Sequence, residues 1–125
     1  MDPESPIVEM TDSYGKQIRW EASGFHSDEN IVGVQITWRG RIVYTTNYGK
    51  VGALSMTLDQ ESNIVKLPGI DMIKMPNKFI TNSSCVDNEG DHDVIYVVTS
   101  LYINKLSIAK TQLKLEVVWN TQYHE

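Results

Sequence analysis

A chain of 125 residues with 41% hydrophobic and 22% charged residues has the composition of one globular domain, and two domains of half the length would each be too small to bury a core. The net charge of −5, with Lys and Arg scattered singly, lacks the basic footprint of nucleic-acid binding and disfavours anionic membranes. No apolar run approaches the ~20 residues that span a bilayer. MDPESPIVEM lacks the basic and apolar regions of a secretory signal, and the lone Cys85 has no internal disulfide partner, so a reducing, cytoplasmic location is expected.

Residues 1–6 read as an N-terminal arm ahead of a single domain over residues 7–125. A short edge strand is expected at residues 7–10, a turn at residues 12–16, and an alternating strand at residues 17–21 with Ile18 and Trp20 on one side. A polar loop follows at residues 24–30. The stretch IVGVQITWRGRIVYTTNYGKVGALSMTLD then organises the chain as a β-meander. Period-two alternation puts Val32, Val34, Ile36 and Trp38 on a dry face and Gly33, Gln35, Thr37 and Arg39 on a wet one. Arg39-Gly40 and Asn47-Tyr48-Gly49-Lys50 supply turns, and residues 53–58 read as the third strand.

Short strands at residues 64–67 and 70–75 end at Pro68-Gly69 and Pro76, and residues 78–81 follow. Residues 82–93 read as the longest polar loop. VIYVVTSLYIN, residues 94–104, is apolar on both faces, as a central strand covered on both sides is. Residues 106–115 admit a helical turn or a strand. In the last strand Leu113, Leu115, Val117 and Trp119 alternate inward. About eight or nine short strands with no sustained helical period predict an all-β, antiparallel domain: a β-sandwich, a jelly roll or a β-prism.

The words IVGVQITW, NYGKVGALSMTLD and IVKLPG in residues 31–69, with SLYINK at residues 100–105, resemble the middle and a later strand of the jacalin-related lectins, a β-prism family. The resemblance implies glycan recognition. It carries over no binding residue, because the family's glycine-rich N-terminal loop is absent and LKLEVVWNTQYHE has no counterpart of its C-terminal sugar-binding motif.

In DNEGDHD, Asp87, Glu89, Asp91 and Asp93 surround Gly90, and such hard oxygen ligands suit calcium, but the spacing is not that of an EF-hand. A solvated hairpin loop is the favoured reading, and no metal or cofactor is expected. Cys85 and His92 lie seven residues apart with no orienting acid to complete a catalytic pair, and no nucleophile or metalloprotease motif occurs, so no enzyme is expected. Trp20, Trp38 and Trp119 occupy alternating apolar positions and are expected in the core. Phe25, Tyr44, Tyr48 and Tyr123 sit in or beside turns, where exposed aromatics stack on sugar rings or anchor protein interfaces.

The expected ligand-binding positions are therefore Asn47, Tyr48, Asp87, Asp91 and Asp93. The expected function is lectin-like glycan recognition through loops, without enzymatic activity, membrane insertion or nucleic acid. The alternative is a self-assembling structural subunit, of viral coat or matrix type, that works through protein contacts. Either way a homo-oligomer with a glycan or protein partner is expected, because unprotected strand edges invite pairing.

Overall fold

A computed structural model describes residues 7–11, 14–68, 83–99 and 102–122. These residues form ten strands and no helix: β1 (Ile7–Thr11), β2 (Gln17–Glu21), β3 (Ile31–Ile36), β4 (Ile42–Thr46), β5 (Lys50–Leu54), β6 (Val65–Lys66), β7 (Ser83–Glu89), β8 (His92–Val98), β9 (Tyr102–Ala109) and β10 (Leu115–Gln122). All pairings are antiparallel. The domain is all-β, and its two main sheets run β3-β4-β5-β6 and β7-β8-β9-β10 in sequence order, with β1-β2 as a separate hairpin. Two consecutive meanders packed face to face make a sandwich without the Greek-key crossings of a jelly roll.

Two cores follow from strands with both faces covered. Between the sheets, Val43, Val51 and Ala53 from one meander meet Ile95, Val97, Leu106, Ile108 and Leu115 from the other. On the outer side of the first sheet, Ile42, Tyr44 and Leu54 pack with Trp20, Ala22 and Leu58. Trp20, from the β1-β2 hairpin, lies 5.2 Å from the Tyr44 ring and donates its indole N–H to Glu61. Its large apolar body is buried while its one donor is satisfied. Tyr44 was expected near a turn and exposed; it is instead central to this outer core, at 4% exposure.

The strand at residues 53–58 is displaced. β5 spans Lys50–Leu54, and residues 55–60 form a loop in which Asp59 accepts from the hydroxyls of Ser55 and Thr57. These short polar side chains bond locally and compete with a ladder. The expected polar loop at residues 82–93 is largely β7 and the start of β8, joined across Gly90, whose φ is +62°. β7 is an edge strand, and an edge tolerates the polar sequence SSCVDNE that a central strand would not. The single central strand expected over residues 94–104 is two strands, because the Thr99 hydroxyl accepts from the Tyr102 amide while the Thr99 amide donates to the Tyr102 carbonyl. β8 and β9 are the two interior strands of their sheet; their inward residues Ile95, Val97, Leu106 and Ile108 fill the inter-sheet core, while their outer face, with Tyr96 and Lys105 part-buried, is not covered as expected. Residues 106–109 are strand, with no helical turn.

Two β-bulges redirect the tryptophans. On β3, Ile31 pairs with Thr46 but Gly33 pairs with Thr45, so Val32 is an extra residue. Val32 packs on the inter-sheet core, whereas Val34 and Ile36 share the outer face with Tyr44 and Ile42 and stand exposed at the edge. Trp38 falls in the turn closed by the Gly40 amide and Thr37 carbonyl, and is 76% exposed. On β10, Val117 pairs with Leu106 but Trp119 pairs with Lys105, so Val118 is extra and Trp119 crosses to the outer face. Trp38 and Trp119 are thus not core residues; a one-residue slip changes the face of every side chain after it. The arm at residues 1–6, the strand expected at residues 70–75, the segment 78–81 after it, and Tyr123 lie outside the described residues.

Gly52 faces Tyr44 across the β4-β5 ladder, and a Cβ there would sit 2.3 Å from the Tyr44 hydroxyl oxygen. The ring therefore lies over a site that only glycine leaves open. Gly52→Ala is expected to destabilise the domain by about 1–3 kcal/mol in urea denaturation, the usual cost of overpacking. An unchanged midpoint would mean that the ring moves aside without loss of packing.

Candidate functional site

Three polar clusters stand out, and two of them are structural. The first joins the sheets. The Asp93 carboxylate is wholly buried, with Arg39 Nη1 at 3.1 Å from one oxygen and Arg41 Nη1 at 3.1 Å from the other. Arg39 also donates to Asn88 Oδ1 (2.9 Å) and the Gly90 carbonyl (2.8 Å), and Arg41 to the carbonyls of Ala109 (2.8 Å) and Lys110 (2.7 Å). One carboxylate and two guanidinium forks thus tie the β3-β4 turn to the β7-β8 and β9-β10 turns. Asp93, expected among ligand-binding residues on a solvated loop, is a buried inter-sheet anchor, because its position in β8 points inward.

The second cluster holds the loop at residues 24–30. Glu29, buried, accepts from Thr46 Oγ1 (2.7 Å), the His26 amide (3.1 Å) and Lys50 Nζ (3.2 Å). Burial pushes the Glu29 carboxyl up, but the hydrogen bonds from Thr46 and His26 and the Lys50 ammonium together hold it below the ordinary glutamate value. Asn47 is buried too: its Oδ1 accepts from the Asn30 amide (2.7 Å) and its Nδ2 donates to the Asp28 carbonyl (3.0 Å). The Tyr48 hydroxyl donates to Asp28, which pushes it up to about 12, and its ring stacks on His26 at 4.5 Å. The expected pair Asn47 and Tyr48 is brought together here, and both side chains are spent on pinning this loop to the β4-β5 turn.

The third cluster opens to solvent on the outer face of the second sheet. Register places Tyr96, Lys105 and Trp119 side by side across β8, β9 and β10, and Val94 beside Ser107 in the next row. Glu89 and His92 face each other at the end of the β7-β8 hairpin. Lys105 reaches diagonally over β8 to both Glu89 oxygens, at 2.9 and 3.1 Å, and Val94 beneath this bridge is 1% exposed. Glu89 holds the Lys105 ammonium above the ordinary lysine value. His92 Nδ1 lies 2.7 Å from the Asp91 carboxylate, which holds that acid below the usual aspartate value. A carboxylate only accepts, so Nδ1 carries the proton and Nε2 is the ring's other hydrogen-bonding atom.

Glu89, His92, Val94, Lys105, Ser107 and Val118 line an open cleft of about 210 Å³. Beside it the Tyr96 and Trp119 rings are 6.4 Å apart, and Lys105 Nζ sits 5.8 Å from the Tyr96 centroid. Trp119 is 42% exposed. The sequence pattern missed this cleft because it assigned Trp119 to the core and residues 82–93 to one loop. Of the expected residues, Asp91 borders the cleft through His92. Asp87 pairs with Val94 in the ladder, its side chain lying outside the described part of the structure. The same register sets Cys85 opposite Tyr96, four residues along the strands from His92, or roughly 13 Å between backbone positions. Among the described residues no group of three or more His, Cys, Asp or Glu is placed to hold a metal ion, and no helix is long and apolar enough to cross a membrane.

No family model matches the chain, and no solved structure matches it. It is similar to an uncharacterized protein of Archaeoglobus fulgidus, with 31% identity over 97 residues that cover 78% of this chain and 17% of that protein. The chain therefore spans about a sixth of the length of the curated relative it matches.

Truncating the inter-sheet anchor leaves two guanidinium groups without their shared carboxylate. Asp93→Ala is expected to cost about 3–5 kcal/mol in chemical denaturation, the range for breaking a buried ion pair; a loss within experimental error would contradict the anchoring role. Glu29 adds an acid limb. Its folded pKa is lowered, so its stabilisation is complete above the ordinary glutamate value and is lost as pH falls through the folded value. Thermal melts across the acid range should show a shallower loss of Tm in Glu29→Gln than in the parent, and parallel curves would refute the assignment.

Proposed function

We propose that this domain is a non-enzymatic binding module that recognises glycans, and that it does so across the outer face of the β7-β10 sheet. One observation carries the reading: the half-exposed Trp119 ring, paired with Tyr96, stands beside Lys105 at a cleft in which a carboxylate, an ammonium, an imidazole and a hydroxyl converge next to the exposed Val118. A flat ring packs against the C–H face of a sugar, while the polar groups exchange hydrogen bonds with its hydroxyls. These groups project from paired strands, so they are held more rigidly than loop residues. Loop residues Asn47 and Tyr48 are committed to internal contacts, and this moves the proposed site from loops to a sheet face.

A second reading, self-association, rests on a separate feature. Val34 and Ile36 are exposed along edge strand β3 and Trp38 in the turn that follows it, with Met56 also exposed and packed near Gly40. A second copy of the chain pairing edge to edge would cover them.

The two readings separate in two measurements. A glycan array probed with the parent and with Trp119→Ala should give sugar-dependent signals that the variant loses at unchanged Tm. An array without signals would contradict glycan recognition. Light scattering after size exclusion, over a range of concentrations, should show a fixed small species under the first reading. Concentration-dependent growth abolished by Trp38→Ser would favour the second.

A further inference from the structure

The cleft's charge and size narrow the kind of glycan, and the inference that follows rests on the binding-face reading above. Lys105 is the cation of the lining, and both oxygens of Glu89 already engage it. An anionic ligand that drew Lys105 away would leave the Glu89 carboxylate unpaired next to the incoming charge. A cationic ligand would have to displace Lys105 from Glu89. Either exchange trades an existing charge-assisted contact for another and adds like-charge repulsion. A neutral hydroxyl-bearing ligand needs no such exchange. One hydroxyl donates to a free lone pair of Glu89 while its neighbour accepts from the Lys105 N–H that otherwise reaches Tyr96, so the bridge meets a vicinal diol with donor and acceptor side by side. Ser107 and His92 Nε2 supply further polar contacts on the same lining.

Size and apolar surface agree with that match. At about 210 Å³ the cleft falls below the ~300–1,000 Å³ of pockets that enclose a drug-sized ligand, so it takes one ring-sized unit and leaves the rest of a chain in solvent. Val118, half-exposed, offers an apolar side, and the Trp119 ring, paired with Lys105 in the register, offers a stacking surface next to the cleft. We infer that the cleft binds a single neutral sugar unit of an oligosaccharide, through a vicinal diol seated on the Glu89–Lys105 bridge, and discriminates against uronic-acid sugars.

Calorimetric titration of the parent chain decides this with two probe sets: neutral hexose and pentose oligosaccharides, and uronate oligosaccharides such as galacturonan fragments, each at low and high salt. The expected result is binding of at least one neutral probe with an affinity that salt leaves unchanged, and a loss of tenfold or more in both Trp119→Ala and Glu89→Gln at unchanged Tm. Tighter binding of a uronate, weakened by salt, would overturn neutral selectivity and leave glycan recognition standing. Neutral binding that survives both substitutions would overturn the assignment to this cleft. No binding of either class would overturn the inference and the glycan reading together.

Discussion

Asp93 is the constraint on which the rest of the sandwich depends. A carboxylate without water contact is tolerated only where charge and hydrogen bonds replace its hydration, and here two arginines from a single turn of the opposite sheet do so. Because those arginines also grip the carbonyls of Gly90, Ala109 and Lys110, the bond fixes the ends of two hairpins as well as the spacing of the sheets. The consequence reaches the other side of the same hairpin. Strand alternation puts Asp93 inward and its neighbours His92 and Val94 outward, so the buried anchor positions the lining of the open cleft one residue away.

The bulge in β10 is the second determinant of the cleft. Without the extra residue at Val118, alternation would carry Trp119 to the inner face, and Lys105 would face a different neighbour. With it, an aromatic ring that reads as core stands beside Tyr96 and Lys105 on the outer face. The matching bulge in β3 has a different effect. It gives Val32 to the core and leaves Val34 and Ile36 at an exposed rim. Both bulges lie on edge strands, where an irregular ladder costs least and also discourages uncontrolled pairing.

These features explain what the amino-acid sequence made legible. The all-β class, the β1-β2 hairpin with Ile18 and Trp20 on one side, the first meander and the turns at Gly40 and Gly49 follow from local periodicity and turn chemistry, which need no knowledge of partners. The faces of Trp38 and Trp119 do not, since a single extra residue in a strand leaves no mark on an otherwise regular alternation. The nature of Asp93 was hidden for a related reason. In DNEGDHD all four acids look alike, and only the register of β7 against β8 separates the inward Asp93 from the outward Glu89. The break between β8 and β9 rests on the bonding of Thr99 to Tyr102, two residues that read equally well as continuous strand. The partners of the buried Asn47 lie in a loop 17 and more residues away, beyond the reach of any local pattern.

The three tryptophans report on the central claim directly. Trp20 is buried with its N–H on Glu61, Trp38 stands on the β3-β4 turn, and Trp119 borders the cleft. The decisive measurement is a proton–nitrogen correlation spectrum of the three indole N–H signals during titration with a neutral oligosaccharide. The account predicts that the Trp119 signal shifts and saturates while those of Trp20 and Trp38 hold still. A Trp119 signal unmoved by every sugar, with Trp38 shifting on protein concentration alone, would contradict it and make self-association through β3 the function of the domain.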